Sequence, residues 1–162
     1  MPTRRLALCV AATLGLFAAS IAAAEHAPTL PKLAGKDVRT GKFVAVSHYV
    51  GKPVFVNFWG SWCEGCKTEA RTLASFAKTH RAQVAFIGVD TIDSRAGAKA
   101  FYKRYDTDYP SIWDPRGMLS GSWTRGTPTT LVFDRKHRLV QRIEGSATLK
   151  QLNAALRRVT RL

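Results

Sequence analysis

Pro53-Val54-Phe55-Val56-Asn57-Phe58-Trp59 is a near-continuous apolar run, and Gly60-Ser61-Trp62-Cys63-Glu64-Gly65-Cys66 follows it directly. Such a run fits a strand of a parallel sheet that is covered on both faces. Val84-Ala85-Phe86-Ile87-Gly88-Val89 is a second run of the same kind. Between the two, Cys66, Ala70, Leu73, Ala74 and Ala77 recur at i, i+4, i+7, i+8 and i+11, the stripe that one face of a helix buries. The segment from about Trp62 to His80 is therefore predicted to be the crossover helix of a β-α-β unit, right-handed by default. That places Cys63 in the first turn of the helix, just past the carboxyl end of a strand.

Outward from this unit, Ser94 is a candidate N-cap for a second helix whose apolar stripe is Ala98, Phe101, Tyr102 and Tyr105. Pro110-Ser111-Ile112-Trp113 reads as a short strand. Pro128 opens the run Thr129-Thr130-Leu131-Val132-Phe133. After the polar turn Asp134-Arg135-Lys136-His137, Leu139-Val140-Gln141-Arg142-Ile143 returns as its antiparallel partner. Thr148 and Gln151 form a capping box for a last helix, with Leu149, Leu152, Leu156 and Val159 as its buried stripe. Ahead of the first strand, Lys36–Arg39 and Lys42–Val46 flank Thr40-Gly41 and suggest a hairpin. There is no internal repeat and no interdomain linker. This order of elements describes an α/β protein, a thioredoxin-like sandwich with a central mixed sheet flanked by helices and an added N-terminal β-hairpin.

The chain has 162 residues, 46% of them hydrophobic and 22% charged, with 12 Gly, 7 Pro and 3 Cys. These values suit one ordinary globular domain. They exclude low-complexity disorder, collagen, a multi-span membrane protein and a disulfide-dense miniprotein. The excess of 25 Lys and Arg over 11 Asp and Glu gives a formal net charge of +14, which attracts anionic surfaces but says nothing of fold. Residues 1–24 read as an export signal: Arg4 and Arg5 supply the positive start, Leu6 to Ile21 is almost wholly apolar, and Ala22-Ala23-Ala24 precedes Glu25 as a small-x-small cleavage site. An uncleaved anchor is the alternative, since the run approaches a bilayer-spanning length. Residues 25–162 are then the mature domain, and Cys9 leaves with the signal.

Two cysteines remain in a chain sent to an oxidising compartment, and they lie three residues apart. A structural disulfide gains most by closing a long loop. The Cys63–Cys66 pair closes almost none, which points to reversible redox chemistry or metal binding.

The stretch from Val54 to Glu69 resembles the active-site strand and helix of the TlpA/ResA/DsbE-type thiol-disulfide oxidoreductases. Gly88-Val89-Asp90, Trp113-Asp114-Pro115-Arg116-Gly117 and Gly126-Thr127-Pro128-Thr129-Thr130-Leu131-Val132-Phe133-Asp134 fall in that family's order. The resemblance covers roughly residues 30 to 160. Its combination of W-C-x-x-C after a buried strand with a later Thr-Pro-Thr is specific.

The chemistry follows from the residues as well. Only a thiolate attacks a disulfide, and a helix N-terminus stabilises that anion through free N–H groups and its partial positive charge. Cys63 is accordingly the nucleophile, and Cys66, one turn on and within the buried stripe, the resolving cysteine. Trp62 shields one side of the pair or is a simple surface aromatic. Glu64 brings negative charge beside the nucleophile and so disfavours the thiolate, leaning the pair toward a reductant; a solvated first-turn carboxylate is the bland reading. Gly65 departs from the family's usual Pro and is expected to leave the first turn looser.

Glu69 borders the buried stripe about 60° around the helix from Cys66. A carboxyl there can carry the proton that Cys66 must lose, a role the resemblance supports; an exposed glutamate paired with Lys or Arg is the alternative. Asn57 stands where cytoplasmic thioredoxins carry a buried acid and is expected to be a satisfied amide under the site. The resemblance implies a cis bond between Thr127 and Pro128, facing the cysteines and exposing the Thr127 backbone to an extended substrate.

His26, His48, His80 and His137 are scattered, with no pair at metal-ligand spacing, and no G-x-G-x-x-G, P-loop or G-x-S-x-G occurs. The expected protein is an exported, periplasmic thiol-disulfide oxidoreductase and a monomer. Its only redox group is the Cys63–Cys66 couple, with no bound cofactor or metal. The resemblance implies that it reduces disulfides in other exported proteins, in cytochrome c maturation or copper-site thiol reduction, and is recharged by a membrane-bound electron donor of the DsbD/CcdA kind. Arg135-Lys136-His137-Arg138, Arg142 and Arg157-Arg158-Arg161 are a modest basic concentration able to hold it at an anionic membrane surface, with no nucleic-acid partner. Two other classes remain: a Cu(I)-binding thiol module and a thiol peroxidase on the same fold.

Overall fold

A computed structural model describes residues 33–161, Ser122 excepted, so the expected export signal at 1–24 lies outside the described residues. The central sheet has the order β5-β4-β3-β6-β7. Its middle strand is β3 (Val54–Trp59), every residue of which is buried, as the unbroken apolar run requires. It pairs in parallel with β4 (Ala85–Thr91) and antiparallel with β6 (Thr129–Phe133), while β5 (Ser111–Asp114) and β7 (Leu139–Glu144) form the edges.

The two-residue period of the strands sorts their side chains between two cores. Val54, Val56 and Phe58 join Ile87, Val89, Leu131 and Phe133 on one face. Phe55 and Trp59 join Phe86 and Val132 on the other, where they meet apolar residues of all three helices, α1 (Glu64–His80), α2 (Arg95–Tyr105) and α3 (Leu149–Thr160). Two successive right-handed crossovers, β3 to β4 and β4 to β5, step the same way along the sheet and so bring α1 and α2 to this one face. The opposite face is covered by Leu33, the 3-10 turn Val46–Tyr49, and Leu119 and Trp123 of the β5–β6 loop.

The predicted caps form: Ser94 Oγ accepts Gly97 N, and Thr148 and Gln151 make a reciprocal capping box. Two details differ from the sequence reading. The hairpin pairs β1 (Ala34–Lys36) with β2 (Phe43–Ala45), so the first arm ends at Lys36 and not at Arg39. Asp37 breaks the ladder because its carboxylate takes Thr40 N (2.7 Å), Thr40 Oγ1 (2.8 Å) and Ser111 N (2.9 Å), drawing Val38 onto edge strand β5 instead. Leu149 is exposed rather than buried, because it is the first residue of α3 and the buried stripe starts at Leu152 and runs through Ala155, Leu156 and Val159.

Candidate active site

Strand β3 ends at Trp59, and the chain turns through Gly60-Ser61-Trp62 into α1. Cys63 is the N-cap of that helix, one position earlier than the sequence suggests. Its Sγ accepts the Cys66 backbone N–H at 3.1 Å, so a sulfur takes the place a capping oxygen usually holds at one of the free donors of a helix start. Cys63 and Cys66 are joined as a disulfide with their Cα atoms 5.2 Å apart. Cys63 is 5% exposed and Cys66 1%, so the difference between the two has the expected sense but is small.

The Thr127–Pro128 bond is cis. A Cβ built on Gly65 would stand 2.9 Å from Pro128 Cδ and 3.2 Å from Ser146 Oγ. The Gly65 turn is therefore packed, not loose as its composition suggests. Its carbonyl is also held by the Ser146 hydroxyl at 2.9 Å. Ser146 has no signature in the sequence, since a lone serine after a Gly carries no local signal.

Glu69 is 2% exposed, which removes the reading of a solvated helix glutamate. Asn57 Nδ2 donates to its Oε1 at 2.9 Å and Ala147 N to its Oε2 at 2.5 Å. Asn57 also donates to Thr130 Oγ1 at 3.1 Å and is the satisfied amide expected beneath the site. Burial pushes the Glu69 carboxyl up to about 7, against the opposing pull of the Ala147 and Asn57 hydrogen bonds. A carboxyl of that strength, one helical turn from Cys66, is matched to accepting or returning a proton near neutrality.

Glu64 is exposed and forms an ion pair with Lys67 at 2.5 Å, so its charge is partly answered on its own helix. Trp62 is more than half exposed, and its indole N–H donates to the Ile92 carbonyl at 3.1 Å. Ile92 has φ +52°, an unfavourable backbone for a β-branched residue, and its own side chain stands in the open. A Cβ on Gly117 would lie 3.0 Å from Ile92 Cγ1, which brings the exposed Met118 next to it in the chain. Trp62, next to Cys63 in the chain, is thus tied to the exposed Ile92, and Met118, also exposed, follows Gly117. Ile92 and Met118 lie in loops, where no periodicity marks them.

A buried strand that delivers a cysteine pair to a helix start, opposite a cis-proline, with a buried carboxyl behind it, has its counterpart in known proteins. The sequence matches the AhpC/TSA family over residues 25–142. The chain belongs to that family. The ResA thiol-disulfide oxidoreductase of Bacillus cereus (strain ZK / E33L) is 31% identical over 122 residues, which cover 74% of this chain and 70% of the relative. A secreted thiol-disulfide isomerase from Corynebacterium glutamicum superimposes with a TM-score of 0.75 at 27% identity, covering 82% of this chain and 86% of that one. A DsbF homologue from Corynebacterium diphtheriae gives 0.74 at 28%, with 83% and 87% covered. Within the AhpC/TSA family this protein is a thiol-disulfide oxidoreductase, and its substrates are thiols and disulfides.

Proposed function

We propose that the oxidoreductase is exported and reduces disulfides in other exported proteins, with cytochrome c maturation or copper-site thiol reduction as its setting. The observation that carries the reading is the capping of α1 by Cys63 Sγ, which presents this sulfur to the N–H donors of the helix start and so favours its thiolate. The Cys63 thiolate attacks one sulfur of a substrate disulfide, forming a mixed disulfide and expelling the other substrate sulfur as a thiolate. Cys66 passes its proton to Glu69 and attacks Cys63 Sγ. The Cys63–Cys66 bond forms, the mixed disulfide breaks, and two electrons have moved to the substrate.

Docking falls to the residues around the pair. Trp62, Glu64, Thr127 and Pro128 line the approach to Cys63, with Ile92 and Met118 adding an apolar rim. Thr127 offers backbone groups to an extended chain. No bound cofactor or metal enters the cycle, and a membrane-bound donor of the DsbD/CcdA kind restores the dithiol. The protein works as a monomer.

Membrane-surface association is supported by where the basic residues gather. Phe133 pairs with Val54, so the turn carrying Arg135, Lys136 and Arg138 lies at the end of the sheet away from Cys63. Arg135 shares a cavity there with Lys52 and with Thr160 at the end of α3. An anionic surface held at that end leaves the disulfide facing outward.

Measuring the reduction potential of the Cys63–Cys66 couple tests the direction of transfer: a value near −270 mV, like thioredoxin, fits a reductant, whereas one near −120 mV, like DsbA, fits an oxidant. Cys66→Ala is expected to accumulate mixed disulfides with partner proteins and Cys63→Ala to form none. The opposite pattern reverses the roles.

A further inference from the structure

Three consecutive residues of the β7–α3 loop each donate one hydrogen bond, and each bond goes to a different part of the disulfide site. Gly145 N donates to Pro128 O at 2.9 Å, Ser146 Oγ to Gly65 O at 2.9 Å and Ala147 N to Glu69 Oε2 at 2.5 Å. Two of these donors are backbone groups that any residue but proline would supply. Only Ser146 uses its side chain.

Gly65 O and Cys66 N–H belong to one planar peptide group, whose resonance couples the two ends. The N–H end of that group donates to Cys63 Sγ at 3.1 Å. The Ser146 hydroxyl, the Gly65–Cys66 peptide and Cys63 Sγ therefore form a relay of two hydrogen bonds. A donor on the carbonyl oxygen draws electron density from the nitrogen and makes its N–H the stronger donor, and successive bonds in such a chain reinforce one another by about 10 to 30%. The sulfur gains most as a thiolate, because charge-assisted hydrogen bonds are about twice as strong as neutral ones.

We propose that Ser146 is a positioning residue of the redox couple: acting through the Gly65–Cys66 peptide, its hydroxyl stabilises the Cys63 thiolate. Gly145 and Ala147 pin the loop on either side, so the hydroxyl is already oriented toward the carbonyl, as bulk water is not. Ser146 is itself exposed, and replacing it leaves the core intact. Thr68 supplies a matched comparison. Its hydroxyl donates to Glu64 O at 3.1 Å, one peptide group earlier on α1, and the N–H of that group belongs to Gly65, which makes no bond to Cys63 Sγ. The ionisable groups around Cys63 are Glu64, its partner Lys67 and Glu69 on α1, Asp90 in register with Trp59, and Asp93 bonded to Ser61. Neither Gly145–Ala147 nor Thr127–Pro128 carries one. All of these groups are retained in the variants below.

The test uses the reduced full-length chain carrying Cys66→Ala, which keeps the backbone N–H at 66, and measures the rate of iodoacetamide alkylation at Cys63 against pH by peptide mass spectrometry. Adding Ser146→Ala is expected to raise the midpoint by about 0.3 of a pH unit, which is about twofold in the ionisation constant. Ser146→Thr, which keeps the hydroxyl, stays within about 0.1 of a unit of Ser146, and so does Thr68→Ala. With both cysteines present, Ser146→Ala makes the couple the stronger reductant: its equilibrium constant for oxidation by glutathione disulfide, measured above the midpoint, rises about twofold. An unmoved midpoint in Ser146→Ala overturns the proposal, as does an equal rise in Ser146→Thr or in Thr68→Ala. The consequence for turnover rests on the oxidoreductase reading, but the alkylation profile needs no substrate. That reading fails separately, if Cys63→Ala still reduces protein disulfides.

Discussion

The carboxylate of Glu69 accepts the backbone N–H of Ala147, 78 residues further along the chain, and this bond ties the active-site helix to the start of α3. Ser146 beside it donates to Gly65 O in the first turn of the same helix. The β7–α3 loop therefore holds α1 both at Gly65, between the cysteines, and at the acid behind them.

Glu69→Gln removes the proton acceptor proposed for Cys66. The mixed disulfide is expected to resolve at least about tenfold more slowly near pH 7, a typical loss for a positioned acid-base group. Stopped-flow kinetics with a model protein disulfide reads it. The same residue sets a slope in stability. Its carboxyl is raised from 4.5 to about 7, so the folded state holds the proton more tightly than the unfolded chain. Stability from this group is present below pH 4.5 and lost as pH rises to about 7. The loss is of order 3 kcal/mol. Denaturant titrations at several pH values should show this fall flattened in Glu69→Gln.

Gly65→Ala places a methyl group against the Pro128 ring and the Ser146 hydroxyl. Alanine favours a helix over glycine by about 1 kcal/mol. Overpacking against a ring that cannot rotate away costs about 1 to 3 kcal/mol. Net destabilisation in urea is the expected result, and it shrinks when Gly65→Ala is combined with Ser146→Gly.

Ile92→Asn tests the apolar rim. Asn tolerates a positive φ far better than a β-branched residue, so the strain of roughly 1 kcal/mol at φ +52° is relieved and thermal stability rises. Reaction with a protein disulfide slows by about fivefold through an increased KM, as expected for the loss of about 1 kcal/mol of apolar contact. The rate with dithiothreitol, too small to reach the rim, stays within about twofold.

Asp37→Ala tests the tie between the N-terminal hairpin and β5. Asp37 is buried, and hydrogen bonds from Ser111 and Thr40 with the nearby Arg39 charge hold its carboxyl below the usual value despite that burial. Stability from such a group is present above pH 3.8 and lost as pH falls through the lowered value. Removing it leaves the Ser111 N–H buried without a partner, at a cost of about 1 to 3 kcal/mol. Asp37→Ala is expected to melt earlier than the wild type at pH 7, with the gap narrowing toward pH 3.

Residues close together in the chain were legible from the sequence: the strand run ending at Trp59, the stripe Cys66 to Ala77, the caps at Ser94 and Thr148, and the cysteine pair. These depend on periods of two and 3.6 residues and on hydrogen bonds spanning three or four positions, which the chain writes locally. What Glu69, Gly65 and Ile92 do was settled by partners far off in sequence. The raised pKa of Glu69 comes from its burial, against the hydrogen bonds from Asn57 and Ala147, and the fit at Gly65 from Pro128 and Ser146. Desolvation and close contact are properties of assembled space, and a linear pattern does not encode which groups will share it.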